Sequence, residues 1–116
     1  MDPKIDELTR RLSSALRESA EYLEYKKQKE RISENDLTQH LLSEYHELML
    51  LQQAQVMQGI RDAGTEEKMK KINELLQFDD AAFAYLSAEY AIYSTLSEIY
   101  KRIANSVEIS LDRLES

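Results

Sequence analysis

A seven-residue repeat in the last third of the chain constrains the fold more than any other feature. Apolar side chains recur at every seventh position in one row: Leu86, Tyr93, Tyr100, Val107 and Leu114. A second row has one polar member, Ser97, among Phe83, Tyr90, Ala104 and Leu111. Steps of seven return to the same side of an α-helix, because two turns take about seven residues. The repeat predicts one long helix over 81–112 with a wide apolar stripe.

This stripe is longer than the rest of the chain can cover. At about 1.5 Å per residue, a helix over 81–112 is ~48 Å long, whereas a compact chain of this size has a radius of gyration near ~13 Å. Exposed apolar surface of that extent usually marks an interface. We therefore expect a homodimer, with this helix contributing an interface made by Leu86, Tyr90, Tyr93, Leu96, Ile99, Tyr100, Ile103 and Val107.

The remaining chain also reads as helical. Apolar residues spaced three and four apart predict further helices at about 3–31, 36–58 and 66–77. The 116 residues include only two glycines and one proline, which are too few for the hairpin turns of an all-β fold. The sequence therefore predicts a single all-α domain over 1–116, an open, dimeric bundle of three to four helices with a long C-terminal helix.

Short polar residues and glycines mark the expected ends of these helices. Side chains of this kind accept hydrogen bonds from free amides at a helix N-terminus, and glycine suits a C-terminus. The predicted N-caps are Asp2 followed by Pro3, Asn35 or Asp36, Thr65 and Asp79. Phe78 is placed to fold back on the next turn as a hydrophobic staple. Gly59 and Gly64 bracket the break after the second helix.

The sequence offers no constellation for catalysis or for a cofactor. It has no cysteine, which excludes thiolate metal sites, and no phosphate-binding loop, nucleophile elbow or HExxH motif. His40 and His46 lie on different faces of one helix, so they cannot share a metal within a chain. Asp79 and Asp80 fit a helix cap better than a catalytic pair. We expect a protein that is not an enzyme and needs no cofactor or metal.

The charge of the chain and its lack of targeting signals limit the classes of binding partner and the cellular location that we expect. The net charge is −7, whereas a nucleic-acid-binding domain usually carries a basic stripe. One dense basic run, with cations at Lys26, Lys27, Lys29 and Arg31, is either a solvated helix end or a contact for an acidic partner or RNA phosphate. There is no signal-peptide core and no spanning segment of ~20 apolar residues. The expected location is the cytoplasm, away from membranes.

Three segments give the chain a family likeness. They are the run from Leu12 to Ser19 with Glu21-Tyr22 and Tyr25-Lys26, the run from Leu41 through Gln55 to Gly59, and the run from Phe83 to Tyr90 leading into Ile99. In this order and spacing they resemble the bacterial YlbF/YmcA family, including its short YheA-like branch. The resemblance covers nearly the whole chain.

This resemblance implies an all-α bundle, dimeric through long C-terminal helices, and a non-enzymatic role. Relatives act as regulatory adaptors in complexes that steer an RNA-degrading endonuclease, with effects on competence, sporulation and biofilm development. Other family members and proteins of the RNA-degradation machinery are thus expected partners. Some relatives carry a cysteine-bearing tail linked to an iron–sulfur cluster, which a chain without cysteine cannot reproduce. The alternative to a regulatory adaptor is an RNA-binding accessory protein that uses the basic run from Lys26 to Arg31.

Overall fold

The computed structural model describes residues 1–110. Within that range the regular structure consists of five α-helices and no strands: α1 (Pro3–Arg17), α2 (Ala20–Ser33), α3 (Asp36–Met57), α4 (Ala63–Gln77) and α5 (Asp80–Ser106). The predicted all-α class is confirmed. The predicted count of three to four helices is wrong, because the first predicted helix, 3–31, is divided into α1 and α2.

Ser19 explains the division between α1 and α2. The chain leaves the first helix at Glu18, whose amide bonds to the carbonyls of Ser14 and Ala15, each at 3.2 Å. The hydroxyl of Ser19 then accepts from the amide of Tyr22 at 3.3 Å and donates to the carbonyl of Leu16 at 2.6 Å. A serine in this position satisfies a free amide at the start of a helix, so α2 begins anew at Ala20.

The cap predictions at the first two N-termini are confirmed. The carboxylate of Asp2 accepts from the amides of Lys4 at 2.8 Å and Ile5 at 3.3 Å. Asn35, of the two candidates at the second site, caps α3 by accepting from the amide of Thr38 at 3.0 Å.

The Thr65 cap prediction is wrong. Asp62 caps α4 by accepting from the amides of Gly64 at 2.8 Å and Thr65 at 3.2 Å, so α4 begins at Ala63 instead of residue 66. Gly64 therefore lies in the first turn of the helix. The Thr65 side chain is buried, and its hydroxyl accepts from Nε2 of Gln55 at 3.2 Å, which joins α4 to α3.

The C-termini of α3 and α5 share one backbone arrangement. At the end of α3, Gly59 has a φ of 71° and the amide of Ile60 donates to the carbonyl of Gln55 at 2.8 Å. At the end of α5, Glu108 has a φ of 59° and the amide of Ile109 donates to the carbonyl of Ala104 at 2.9 Å. Both are Schellman motifs, in which a left-handed residue ends the helix. The C-terminal use of Gly59 was predicted correctly.

The predicted end of the last helix at 112 is wrong, because α5 ends at Ser106. The seven-residue repeat continues past Ser106 in the sequence, but the left-handed residue Glu108 ends the helix. Positions 111 and 112 of the predicted helix lie outside the described residues, and so do Leu111 and Leu114 of the two apolar rows.

The chain forms two compact units, and helices α2 and α5 each contribute to both. Lys26–Leu86 is one unit, and Met1–Tyr25 with the chain from Ser87 onward is the other. A single domain over 1–116 stays a prediction. In the first of these units α3 and α4 pack together, and the core is formed by Ile32, Leu42, Ile72, Leu76 and Ala82. In the described part of the other unit the buried apolar residues are Ala88, Ile92 and Ala104.

Candidate partner interface

An exposed apolar stripe runs along α5. At about 100° per residue, its members lie within about 80° of arc on one side of the helix. All of them are exposed: Tyr93, Leu96, Tyr100, Ile103 and, just past the last turn, Val107. Tyr93 keeps 59% of its surface open. Exposed apolar residues that adjoin one another in this way differ from scattered single ones, which need no explanation.

The other predicted interface residues lie beside this stripe. Tyr90 is exposed, about 60° further round the helix from Tyr93. Ile99 is half-buried, close to the buried side of α5 that carries Ala88 and Ile92. Leu86 is half-buried and packs against the core of the unit 26–86. Six of the eight residues are therefore exposed, and their use in a dimer stays a prediction.

A second apolar face, on α1, was not recognised as a surface from the sequence. Ile5, Leu8 and Leu12 lie on one side of this helix and all are exposed, and α1 contains no buried residue. The spacing of Ile5, Leu8 and Leu12, three and four residues apart, indicated that α1 has an apolar face. It could not show that the face is uncovered, because the same spacing is typical of a helix packed against a core.

The basic run lies on an exposed part of α2 without forming one stripe. Lys26, Lys27, Lys29 and Arg31 are all exposed. By helix geometry Lys26 and Lys29 form one pair and Lys27 and Arg31 another, with about 150° between the pair centres. The exposed Glu30 lies between the two pairs. An acid in that position lowers the local positive potential that a phosphate chain would need.

Asp79 is a structural cap, as predicted. Its Oδ1 accepts from the amide of Ala82 at 3.0 Å, and its Oδ2 accepts from the hydroxyl of Thr38 at 2.7 Å. These hydrogen bonds, the one from Thr38 foremost, lower the pKa of Asp79, and burial opposes them only partly. The staple prediction for Phe78 is wrong, because this side chain is 88% exposed.

The histidines make separate contacts. Nε2 of His40 lies 3.2 Å from Oε1 of Glu44 at the surface, and the ring of His46 meets that of Tyr45 edge-on with 5.8 Å between centroids. In the described residues no three His, Asp or Glu side chains come together as a set that could hold a metal ion.

None of the helices in residues 1–110 combines the length and apolar character needed to cross a bilayer.

The described residues form a small all-α protein with uncovered apolar faces on α1 and α5. Comparison with known proteins gives its family. Residues 5–108 match the family described as "Control of competence regulator ComK, YlbF/YmcA". The chain belongs to this family, and the description assigns the family a regulatory role.

Two relatives carry only a family designation. A UPF0342 protein of Symbiobacterium thermophilum is 29% identical over 102 residues, which cover 86% of this chain and 90% of the relative. A UPF0342 protein of Halothermothrix orenii is 27% identical over 110 residues, which cover 94% of this chain and 93% of the relative. The chain thus spans nearly the full length of both.

Proposed function

We propose that this chain is a non-enzymatic regulatory adaptor, a cytoplasmic homodimer that acts by binding protein partners. The α5 stripe is the dimer interface. Other family members and proteins of the RNA-degradation machinery are the further partners, and competence, sporulation and biofilm development are the processes that the adaptor influences. The observation that carries the proposal is the exposed apolar stripe from Tyr93 to Val107.

The composition of the stripe supports an interface. It combines two tyrosines, Tyr93 and Tyr100, with the aliphatic residues Leu96, Ile103 and Val107. Tyrosine is enriched in protein interfaces because its ring buries apolar area while its hydroxyl reaches water or a polar partner at the rim. Covering side chains of this size contributes about 25 cal/mol per Å² of apolar area removed from water. A second copy of α5 offers the same apolar surface in return, as two-fold dimers require.

A non-enzymatic role fits the use of Asp79, the capping member of the adjacent pair Asp79 and Asp80. Its Oδ2 accepts from the hydroxyl of Thr38 and its Oδ1 accepts from the amide of Ala82, both within the fold. A general acid or base needs a carboxyl group free to reach a substrate proton. Asp79 instead stabilises the junction between α4 and α5.

One pair of variants tests the dimer. Tyr93→Asp places a negative charge in the stripe. Burying this charge in a dimer interface with no opposite charge beside it costs several kcal/mol. Tyr93 is 59% exposed in the single chain, so the fold of each copy should persist. Asn105→Asp adds the same charge to an exposed residue about 160° round α5 from the centre of the stripe and serves as the control. Light scattering after size exclusion should show a monomer for Tyr93→Asp and a dimer for Asn105→Asp. Equal masses for the two variants would contradict the proposed interface.

A further inference from the structure

The unit 26–86 contains an open groove between α3 and α4, apart from the α5 stripe. Its volume is about 440 Å³. Each helix contributes two charged and two apolar side chains to the lining. The complete set is Glu44, Glu47, Leu48 and Leu51 from α3, and Lys68, Lys71, Ile72 and Leu75 from α4.

The two helices present the same spacing with opposite charge. On α3 the first residue of the set, Glu44, is followed at three, four and seven positions by Glu47, Leu48 and Leu51. On α4 the first residue, Lys68, is followed at the same intervals by a lysine, an isoleucine and a leucine. Residues at these intervals share one face of a helix. The groove therefore has an apolar floor, an acidic α3 rim and a basic α4 rim.

The apolar residues of the groove differ in their exposure to solvent. Ile72 is 4% exposed and belongs to the core, so it forms the bottom. Leu75 on one side is 56% exposed and Leu51 on the other is also exposed. In the part of the chain that the structure describes, no ion pair joins a glutamate of the α3 rim to a lysine of the α4 rim. Glu44 contacts His40 on its own helix at 3.2 Å, so on the α3 rim an occupant would meet one glutamate shared with a histidine, Glu44, and a second, Glu47.

We propose that this groove binds an amphipathic helix of a protein partner, one whose apolar ridge is flanked by basic residues on one side and acidic residues on the other. The basic flank lies along Glu44 and Glu47, and the acidic flank lies along Lys68 and Lys71. Seven residues of α-helix rise about 10 Å, so the lining residues match about two turns of a partner with anchors at i, i+3 or i+4, and i+7.

The chemistry of the groove selects against other occupants. A nucleic acid is a polyanion, and the glutamates of the α3 rim repel it. A membrane surface with anionic lipids meets the same obstacle. A helix with flanks of a single sign gains at one rim and loses at the other, whereas mixed flanks are complementary to both in one of the helix's two directions.

Three synthetic peptides with identical leucine anchors test this inference. Their flanks are lysine on one side and glutamate on the other, lysine on both sides, or glutamate on both sides. Fluorescence anisotropy with the full chain should rank the mixed-flank peptide tightest. Leu75→Asp should weaken it by about tenfold or more, because a charge in the floor must be desolvated without a partner. Far-UV circular dichroism of Leu75→Asp should match that of the parent chain, since Leu75 is exposed.

Charge reversal gives the sharper test. Lys68→Glu combined with Lys71→Glu makes both rims acidic, so preference should move from the mixed-flank peptide to the all-lysine peptide, with a change of about tenfold in the ratio of their Kd values. Lys70→Glu is the control for position, because Lys70 is exposed about 150° round α4 from the centre of the groove-lining face. That variant should keep the original ranking.

Three results would overturn the inference. They are no binding of the mixed-flank peptide, a ranking that charge reversal leaves unchanged, and a loss of the protein's own dimer on Leu75→Asp, which would make a second copy the occupant. The inference rests on the proposed adaptor role, but its failure is separable. The peptide assays report on the α3–α4 groove, and the mass of Tyr93→Asp reports on the α5 stripe.

Discussion

The hydroxyl of Thr38, at the start of α3, donates a 2.7 Å hydrogen bond to Oδ2 of Asp79, which lies 41 positions further along the chain and caps α5. Thr38 is only 1% exposed. One buried hydroxyl thus links the beginnings of two helices, and the charged form of the carboxyl is the stronger acceptor for it. The lowered pKa of Asp79 follows first from this bond.

Removal of the hydroxyl should destabilise the fold in a pH-dependent way. Thr38→Val should lower the free energy of unfolding by about 1–2 kcal/mol at neutral pH, because an acceptor bonded to a buried donor loses its partner. The pKa of Asp79 is lower in the folded state than its ordinary value of 3.8, so its stabilisation is present above that value and lost as pH falls through the folded pKa. The gap between variant and parent should narrow in acid. Urea unfolding at several pH values measures it.

Thr95→Val is the control for this prediction. The Thr95 hydroxyl donates only to the carbonyl of Ala91, four residues earlier in its own helix, at 3.2 Å. Its loss should give a small change that does not vary between neutral and acid pH. A Thr38→Val penalty that is constant with pH would contradict the role given to Asp79.

The left-handed ends of α3 and α5 should respond in opposite directions to substitution. Gly59→Ala should cost about 1 kcal/mol, because a Cβ at φ 71° strains the backbone although it would meet no atom within 4 Å. Glu108→Gly should instead stabilise by about 0.5–1 kcal/mol, since glycine adopts φ 59° without strain. Thermal unfolding of both variants measures the effects. A shift of the same sign in both would contradict this account.

Neighbouring apolar residues on α4 and after it should differ sharply in their contribution. Ile72→Ala should cost about 2–5 kcal/mol, because Ile72 is 4% exposed and its truncation leaves a cavity in the core. Phe78→Ala removes a larger side chain that is 88% exposed, and should change stability by no more than about 0.5 kcal/mol. Denaturant titrations of the two variants compare them directly. A large loss of stability with Phe78→Ala would contradict this expectation and support the hydrophobic staple predicted from the sequence.

The basic run should not retain RNA. Glu30 divides its four cations, and the chain as a whole carries a net charge of −7. Filter binding with single-stranded RNA at about 50 mM salt, where phosphate contacts are strong, should show no retention. Changing Lys26, Lys27, Lys29 and Arg31 to glutamine should leave this result unaltered. Salt-sensitive retention that the glutamine variant abolishes would favour the RNA-binding alternative.

Much of the fold was predictable because helix signals are local. Asp2 and Asn35 cap their helices as predicted, and Gly59 ends α3. The errors arose where two local signals compete. Asp62 precedes Thr65, and either residue type caps a helix. The hydroxyl of Thr65 is instead used in a partly buried hydrogen bond with Gln55, and Asp62 caps α4. Ser19 divides α1 from α2 although the apolar spacing continues across it.

The candidate surfaces were less predictable than the helices. The repeat identified the apolar side of α5, but periodicity does not distinguish residues packed within the chain, such as Ile92, from exposed ones, such as Tyr93. The same ambiguity concealed the open face of α1 around Leu8. The α3–α4 groove depends on which two helices pack together, and that information is not local in the sequence.

Sedimentation equilibrium of the unaltered chain at micromolar concentrations shows whether a second copy covers the stripe from Tyr93 to Val107. A dimer made through the stripe gives a species of twice the chain mass of 13.6 kDa. A single species of 13.6 kDa at every concentration would mean that no second copy covers the stripe.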